Sequence, residues 1–427
     1  MYHFENILTS LIFIVAHFLL FFLNYELMKK KIMHPAVLFS LVWFIVVLLH
    51  FIFSFTILNE LPPLRTSTYI VFFIGVIAFS FGAFIETLLW QKNHTIQTTA
   101  TRTFADKDIS LPLSIILLSI SVIGLPFFLY KSYKIFIESN IDTFFIGLRS
   151  ELLYGDEDIG ALKYLFPFSL VLYAFILSSF LKDKKLINRV LLIISSLVTL
   201  AYAIFTTGRL IFLIILVVYL GMRFIYSNHF SIKKIFRFVI FFMILFIGLG
   251  IVYDKGGSTE DSISDNIKPA AQGTAIYMVA SLNALDRKLN NQFNVNYNGN
   301  NSLRFFIKLG NELGMVKKAK VNDLIPPFIF TPYPTNVYTI YSSYIEDFGK
   351  FYAWFIMAFL GIIQAWLYNI ATTTKSLRYS FYYAILLYPL LISFFADQYF
   401  TLVSFWLQFC FFVEAIILLN KIWGLRK

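Results

Sequence analysis

Apolar runs separated by short polar connectors set the pattern of this chain, at residues 5–27, 36–57, 68–90, 110–130, 161–181, 190–206, 209–226, 236–253, 351–370, 380–396 and 400–419. A helix needs about 20 apolar residues to cross a hydrocarbon core of roughly 30 Å. The pattern therefore predicts an all-α, polytopic integral membrane protein of about 11 transmembrane helices, and two short runs leave that count open by one. Two polar excursions interrupt the short connectors. One covers 131–160. The other, from Asp254 to about Thr335, opens a large loop over 254–350 that is inserted before the ninth run. In it, Asn290 to Ser302 has the composition of an exposed flexible stretch. Pro269–Leu289 and Ser302–Leu313 carry apolar residues at helical spacing and predict amphipathic helices lying on the membrane surface. Residues 1–427 read as a single membrane domain without an internal repeat, which weighs against a transporter.

Composition agrees with this class: of 427 residues 59% are hydrophobic, 19% aromatic and 14% charged, with mean hydropathy +0.74. Lysine and arginine concentrate in alternate connectors: Lys29 to Lys31; Lys92, Arg102 and Lys107; Lys182, Lys184, Lys185 and Arg189; Arg223, Lys233, Lys234 and Arg237; Lys375 and Arg378; and the C-terminal Lys421, Arg426 and Lys427. The positive-inside rule places these in the cytoplasm, with the N-terminus outside and the C-terminus inside. The net charge of +11 is then mostly topogenic and does not point to nucleic acid. No basic residue precedes the first run and three lysines follow it, so it is expected to remain as a span. Cys410, the single cysteine, excludes an intramolecular disulfide, and the six scattered histidines show no metal-ligand spacing. No metal and no cofactor are expected.

Three outward arginines stand close to spans: Arg149 in LRSELLYGDEDIG, Arg209 in TTGRL, and Arg304 in NSLRFFIKLG. Arg209 is the most constrained, because its connector is only a few residues long and Gly208 beside it lets the backbone turn tightly or approach a ligand. A planar fork of five donors suits phosphate and pyrophosphate oxygens; the alternative reading is an arginine snorkelling to lipid headgroups. A third patch, TPYPTNVYTIYSSYIEDFG at 331–349, offers Asn336, Tyr338 and Thr339 as hydrogen-bond partners and Glu346 and Asp347 as carboxylates just above the membrane. It reads either as a carbohydrate groove or as an interfacial aromatic belt. Asp156, Glu157 and Asp158 imitate the acidic signature of metal-dependent sugar-nucleotide transferases, but on the face where nucleotide sugars are not expected. Glu86, Lys163 and Glu414 lie near span ends and are expected to snorkel or pair, and His17 and His50 to pack neutral.

HPAVLFSLVWF in the second run, LPPLRTSTYIVFFIGVIAFSFGAFI through the third, TTGRLIFL at 206–213 and PTNVYTIYSSYIEDFG at 334–349 together resemble the bacterial oligosaccharide repeat-unit polymerases, the O-antigen and capsule polymerases of the Wzy type. The resemblance runs over most of the chain. It implies a reaction on the outer face of the bacterial cytoplasmic membrane, in which a growing glycan leaves undecaprenyl pyrophosphate and joins the next lipid-linked repeat unit. Such enzymes are similar to metal-independent C-type glycosyltransferases, and their pathway supplies a flippase and a chain-length regulator as partners. Arg149 followed by Gly160 resembles the arginine-to-glycine loop motif of some members. Arg304 reaches Gly310 or Gly314 too soon to match its counterpart.

Displacing pyrophosphate by a sugar hydroxyl needs cations where charge develops, which favours Arg209 and Arg149, and a base, for which Asp347 ranks before Glu346 and Glu151. Asn336, Tyr338 and Thr339 would position the acceptor sugar. An O-antigen ligase using the same donor, a flippase for lipid-linked repeat units, and a scaffold of a polysaccharide assembly complex are the alternatives.

Overall fold

The computed structural model describes residues 2–94, 108–155, 158–227, 263–290, 295–315, 321–322 and 326–425, together with Ile244 and Gly248. The helices, in chain order, are α1 (Tyr2–Leu27), α2 (Pro35–Phe55), α3 (Thr66–His94), α4 (Leu111–Glu138), α5 (Phe144–Tyr154), α6 (Leu165–Lys182), α7 (Leu186–Phe205), α8 (Arg209–Tyr226), α9 (Ile263–Asn290), α10 (Arg304–Glu312), α11 (Thr339–Thr374), α12 (Leu377–Leu391) and α13 (Val403–Leu425). A two-residue hairpin pairs β1 (Ile329–Phe330) with β2 (Pro334–Thr335).

Among the described residues, nine helices are long and apolar enough to cross a membrane, and they overlap nine of the eleven predicted runs. The run at 236–253 lies outside the described residues, Ile244 and Gly248 apart. At the run 380–396, α12 spans 15 residues and ends at Leu391, shorter than the nine. Beyond it Thr339 N and Ile340 N bond Phe395 O and Ser393 O, and Asp397, only 2% exposed, accepts from Tyr344 Oη at 2.8 Å, Tyr399 N at 2.9 Å, Phe400 N at 3.3 Å and Thr401 Oγ1 at 3.3 Å. A buried carboxylate gathering backbone N–H groups stabilises a turn.

The chain divides into two compact units. The first comprises Met1–Thr98, Ala271–Asn369 and Pro389–Ser404. In it α1, α2 and α3 pack together, and α3 crosses α11 through small residues. A Cβ added to Gly82 would stand 1.9 Å from the Ala358 carbonyl oxygen, and one on Gly361 2.1 Å from that of Phe79. Ala36, Ala83 and Ala365 complete the contact. Lipid tails are as apolar as leucine, so membrane helices associate by close approach of this kind. Gly361→Leu is expected to destabilise the protein by about 3 kcal/mol through overpacking, read as a lower unfolding temperature in detergent, whereas a leucine at lipid-facing Phe359 is expected to be neutral.

Part of the large loop is built into this unit. The segment 269–289 is helical, as part of α9, and its apolar face meets protein. It packs on the connector between α2 and α3, where Ala275 and Val279 meet Leu58 and Leu61. Polar pins reinforce the contact: His50 Nε2 to Asn283 Oδ1 at 2.7 Å, Asn283 Nδ2 to Pro62 O at 2.7 Å, and Thr68 Oγ1 to Asp286 Oδ1 at 2.6 Å.

The second unit comprises Thr99–Ala270, Ile370–Tyr388 and Phe405–Lys427. Its centre is α6, buried along most of its length and packed on α4, α7 and α8. Buried hydroxyls pair across these helices, Ser169 with Thr199 at 2.7 Å, and Tyr202 Oη donates to Ser121 O at 2.7 Å.

Candidate functional site

In the second unit the structure brings two of the three arginines to one connector. The α7 helix ends at Phe205, and Thr206 and Thr207 turn the chain so that Gly208 caps α8 and Arg209 is its first residue. Thr207 sits at φ +55°, a left-handed conformation that costs a β-branched residue roughly 1–3 kcal/mol and that surrounding structure must hold in place. Part of that hold comes from Arg149, whose Nη1 donates to Thr207 O at 3.1 Å. Phe144 and Phe145, at the start of the same helix α5, pack on Phe205 with ring centroids 5.8 and 6.0 Å apart.

Arg209 is 4% exposed and Arg149 half-buried. The N-terminal end of a helix carries a partial positive charge, and the first turn of α8 contains no acidic residue. A buried guanidinium is therefore placed at the end of the helix least favourable to it, with a second guanidinium anchored two residues away. Such an arrangement suits an anion with several oxygens. Glu151 lies two residues beyond Arg149 and so on a different face of α5. Gly160, at φ +68° and exposed, opens a short 3-10 turn at Gly160–Tyr164. Asp156 and Glu157 lie outside the described residues, while Asp158 pairs with Lys163 at 3.1 Å. Glu414 pairs with Arg378 at 2.8 Å.

The first unit holds the remaining candidates, and there Asp347 is differently placed from a catalytic base. Its side chain is fully buried. Oδ1 accepts from Asn301 Nδ2 at 2.8 Å, and Oδ2 from the backbone N–H of Ser302 at 2.6 Å and of Asn301 at 3.1 Å. A carboxylate met by these donors and sealed from solvent holds a loop in shape. It holds Asn301 and Ser302, the end of the 290–302 stretch expected to be flexible.

The network continues outward. Asn301 Nδ2 also reaches Glu346 Oε2 at 3.0 Å, Asn322 Nδ2 donates to Asn301 Oδ1 at 2.8 Å, and Arg304 Nη1 donates to Asn322 O at 2.7 Å. Glu346, whose side chain is 15% exposed, forms an ion pair with Lys288.

The aromatic patch is also rearranged. Tyr338 is not an open stacking platform: Lys288 Nζ lies 4.6 Å from its ring centroid and its hydroxyl donates to Pro327 O at 2.8 Å. Thr339, 1% exposed at φ +63°, uses its N–H on Phe395 O at 3.1 Å, and its Oγ1 has no hydrogen-bond partner among the described residues. Asn336 remains half-buried between β2 and α11.

Lys288, Asn301 and Asn322 were not legible as site residues. A lysine in the last turn of a helix reads as favourable end charge, and asparagines in an Asn-rich run read as loop. Burial pushes the Lys288 ammonium down to about 8, against the pull of the Asp347 carboxylate. Its folded value lies below the ordinary 10.5, so between pH 8 and 10.5 the unfolded chain binds the extra proton and stability rises with pH. The side chain is 33% exposed, so screening reduces the expected gain over that window to about 1–2 kcal/mol. Thermal unfolding across this range should show the rise in wild type and lose it in the double variant Lys288→Met, Glu346→Gln.

The apolar helices make this a multi-pass membrane protein. No family model, no curated protein and no solved structure matches the chain.

Proposed function

We propose that this protein polymerises lipid-linked oligosaccharide repeat units, passing the growing glycan from undecaprenyl pyrophosphate to the next lipid-linked unit, in O-antigen, capsule or exopolysaccharide synthesis. The observation that carries the reading is the joining of Arg149 and Arg209 at the α7–α8 connector. Two guanidinium forks and a helix N-terminus at a membrane boundary stabilise the charge that develops on a departing diphosphate, without metal or nucleotide. The sequence resemblance and the placement of lysine and arginine add the setting: the cytoplasmic membrane of a bacterium, about eleven spans, the N-terminus and both long loops outside, and the C-terminus in the cytoplasm. Such a protein would be a C-type glycosyltransferase, with a flippase and a chain-length regulator as pathway partners.

Within the first unit by itself, Glu346, whose side chain is 15% exposed, is a second candidate base for an acceptor hydroxyl beside Asp347. Lys288 and Asn301 orient it, and Asp347 positions Asn301.

Deleting the gene in its own host and resolving the surface glycan by length tests the reading. Single repeat units on the acceptor, with long chains restored only by the wild-type gene, are expected. Loss of all glycan from the acceptor while long chains stay on the lipid carrier would instead indicate a ligase, and repeat units held at the cytoplasmic face a flippase.

A further inference from the structure

Two helices of the large loop share an amphipathic sequence pattern and meet different fates. The apolar side of α9 is covered by the α2–α3 connector. That of α10 is bare: Phe306 and Leu309 in the helix and Leu313 at its C-cap, spaced i, i+3 and i+7, are 52%, 42% and 59% exposed, and Met315, beyond the left-handed Gly314, is 79% exposed. Charge accompanies it. Lys308 is exposed beside the stripe and Arg304 stands in the first turn; in the sequence 304–320 carries five basic residues against Glu312 alone, of which Lys317, Lys318 and Lys320 lie outside the described residues. The root of α10 is fixed. Arg304 holds Asn322, Asn322 holds Asn301, and Asn301 is clamped by Asp347, two residues before the non-helical break at Gly349 (φ +80°) beyond which α11 becomes an apolar span.

We infer that α10 is a docking surface for an anionic phospholipid bilayer, its Phe306–Leu309–Leu313 stripe sunk among the headgroups and Lys308 paired with a lipid phosphate. An apolar stripe with flanking cations binds such an interface through buried area plus attraction to anionic lipid. The occupant is bulk phospholipid. A diphosphate carrier would call for a compact anion cradle, whereas α10 offers a linear apolar face about one helix long. The inference is independent of the reaction proposed above, because it concerns where the loop rests and not what it transforms.

The single cysteine makes the test direct. Full-length protein carrying Cys410→Ser and one new cysteine, Leu309→Cys, Leu313→Cys or Lys308→Cys, is labelled with a nitroxide. It is reconstituted in vesicles of phosphatidylcholine and phosphatidylglycerol that contain no polyprenyl lipid. Labels at 309 and 313 should collide more with oxygen than with a water-soluble nickel chelate, at a depth of about 5–10 Å, and the label at 308 should show the reverse. Removing phosphatidylglycerol should move the two deep labels towards water.

Preferential collision with the nickel chelate at 309 and 313 overturns the inference. Shielding from both reagents does so too, since a protein segment or a second copy then covers the stripe. Depth unaffected by phosphatidylglycerol removes the anionic specificity. If Cys410→Ser does not yield folded protein, quenching of Leu309→Trp by brominated lipids, read against the unsubstituted chain, gives the same decision.

Discussion

Arg209→Ala is expected to lower glycan polymerisation by about 100-fold or more, the usual cost of removing one donor aimed at developing charge. Arg209→Lys should recover only a small part, because an ammonium keeps the charge and loses the planar fork. Arg149→Ala should be as damaging for two reasons: it removes the second guanidinium and releases Thr207 O, so that the strained turn at Thr207 loses a support. The two losses should be far from additive, since both residues act on one connector. The measurement is polymer yield at matched membrane abundance. Extraction profiles and unfolding temperatures are taken alongside to separate lost chemistry from lost folding, because Arg209 is buried. Polymerisation at wild-type level in Arg209→Ala would remove the connector from the mechanism and leave both arginines as interfacial anchors.

The second large effect separates the two neighbouring carboxylates. Asp347→Ala should destabilise the loop by about 2–4 kcal/mol, because the N–H groups of Asn301 and Ser302 lose their acceptor in a buried setting and the Asn301 amide keeps only Glu346. Faster proteolysis between α9 and α11 would report it. Glu346→Gln should leave that loop intact and slow transfer by about 10²–10⁴-fold, the range for losing a general base. Opposite outcomes, an intact loop with dead enzyme in Asp347→Asn and ordinary activity in Glu346→Gln, would place the base at Asp347.

Much of the architecture was legible because a bilayer imposes its own arithmetic. Every backbone group in hydrocarbon must be paired within its own segment, so long apolar runs become helices whatever surrounds them. The runs that α1 to α4, α6 to α8, α11 and α13 fulfil follow from hydropathy alone. The run at 380–396 is instructive for the same reason. Its hydropathy suits a span, but α12 ends at Leu391 and the chain turns towards Asp397, 2% exposed and bonded to Tyr344 from α11, and no local pattern announces a partner 53 residues away. Likewise α9 and α10 have the same kind of periodicity. Only the packing of Leu58 and Leu61 against Ala275 and Val279 decides that one faces protein while the other stays bare.

The candidate site divides along the same line. Arg149, Arg209 and Gly208 were legible because their residue types and their position at span ends carry the chemistry themselves. Asp347 and Glu346 are adjacent carboxylates of the same kind in the sequence, and their roles diverge only in three dimensions, where Asn301 and Ser302 donate to one and Lys288 orients the other. By itself the sequence determined a multi-pass helical protein with two polar excursions and arginines at the ends of its spans, because hydrophobicity and charge are properties of residues. Which arginines meet, which carboxylate is sealed and which loop helix is left uncovered were decided by the tertiary structure, because partners, burial and direction are properties of contacts between residues far apart in the chain.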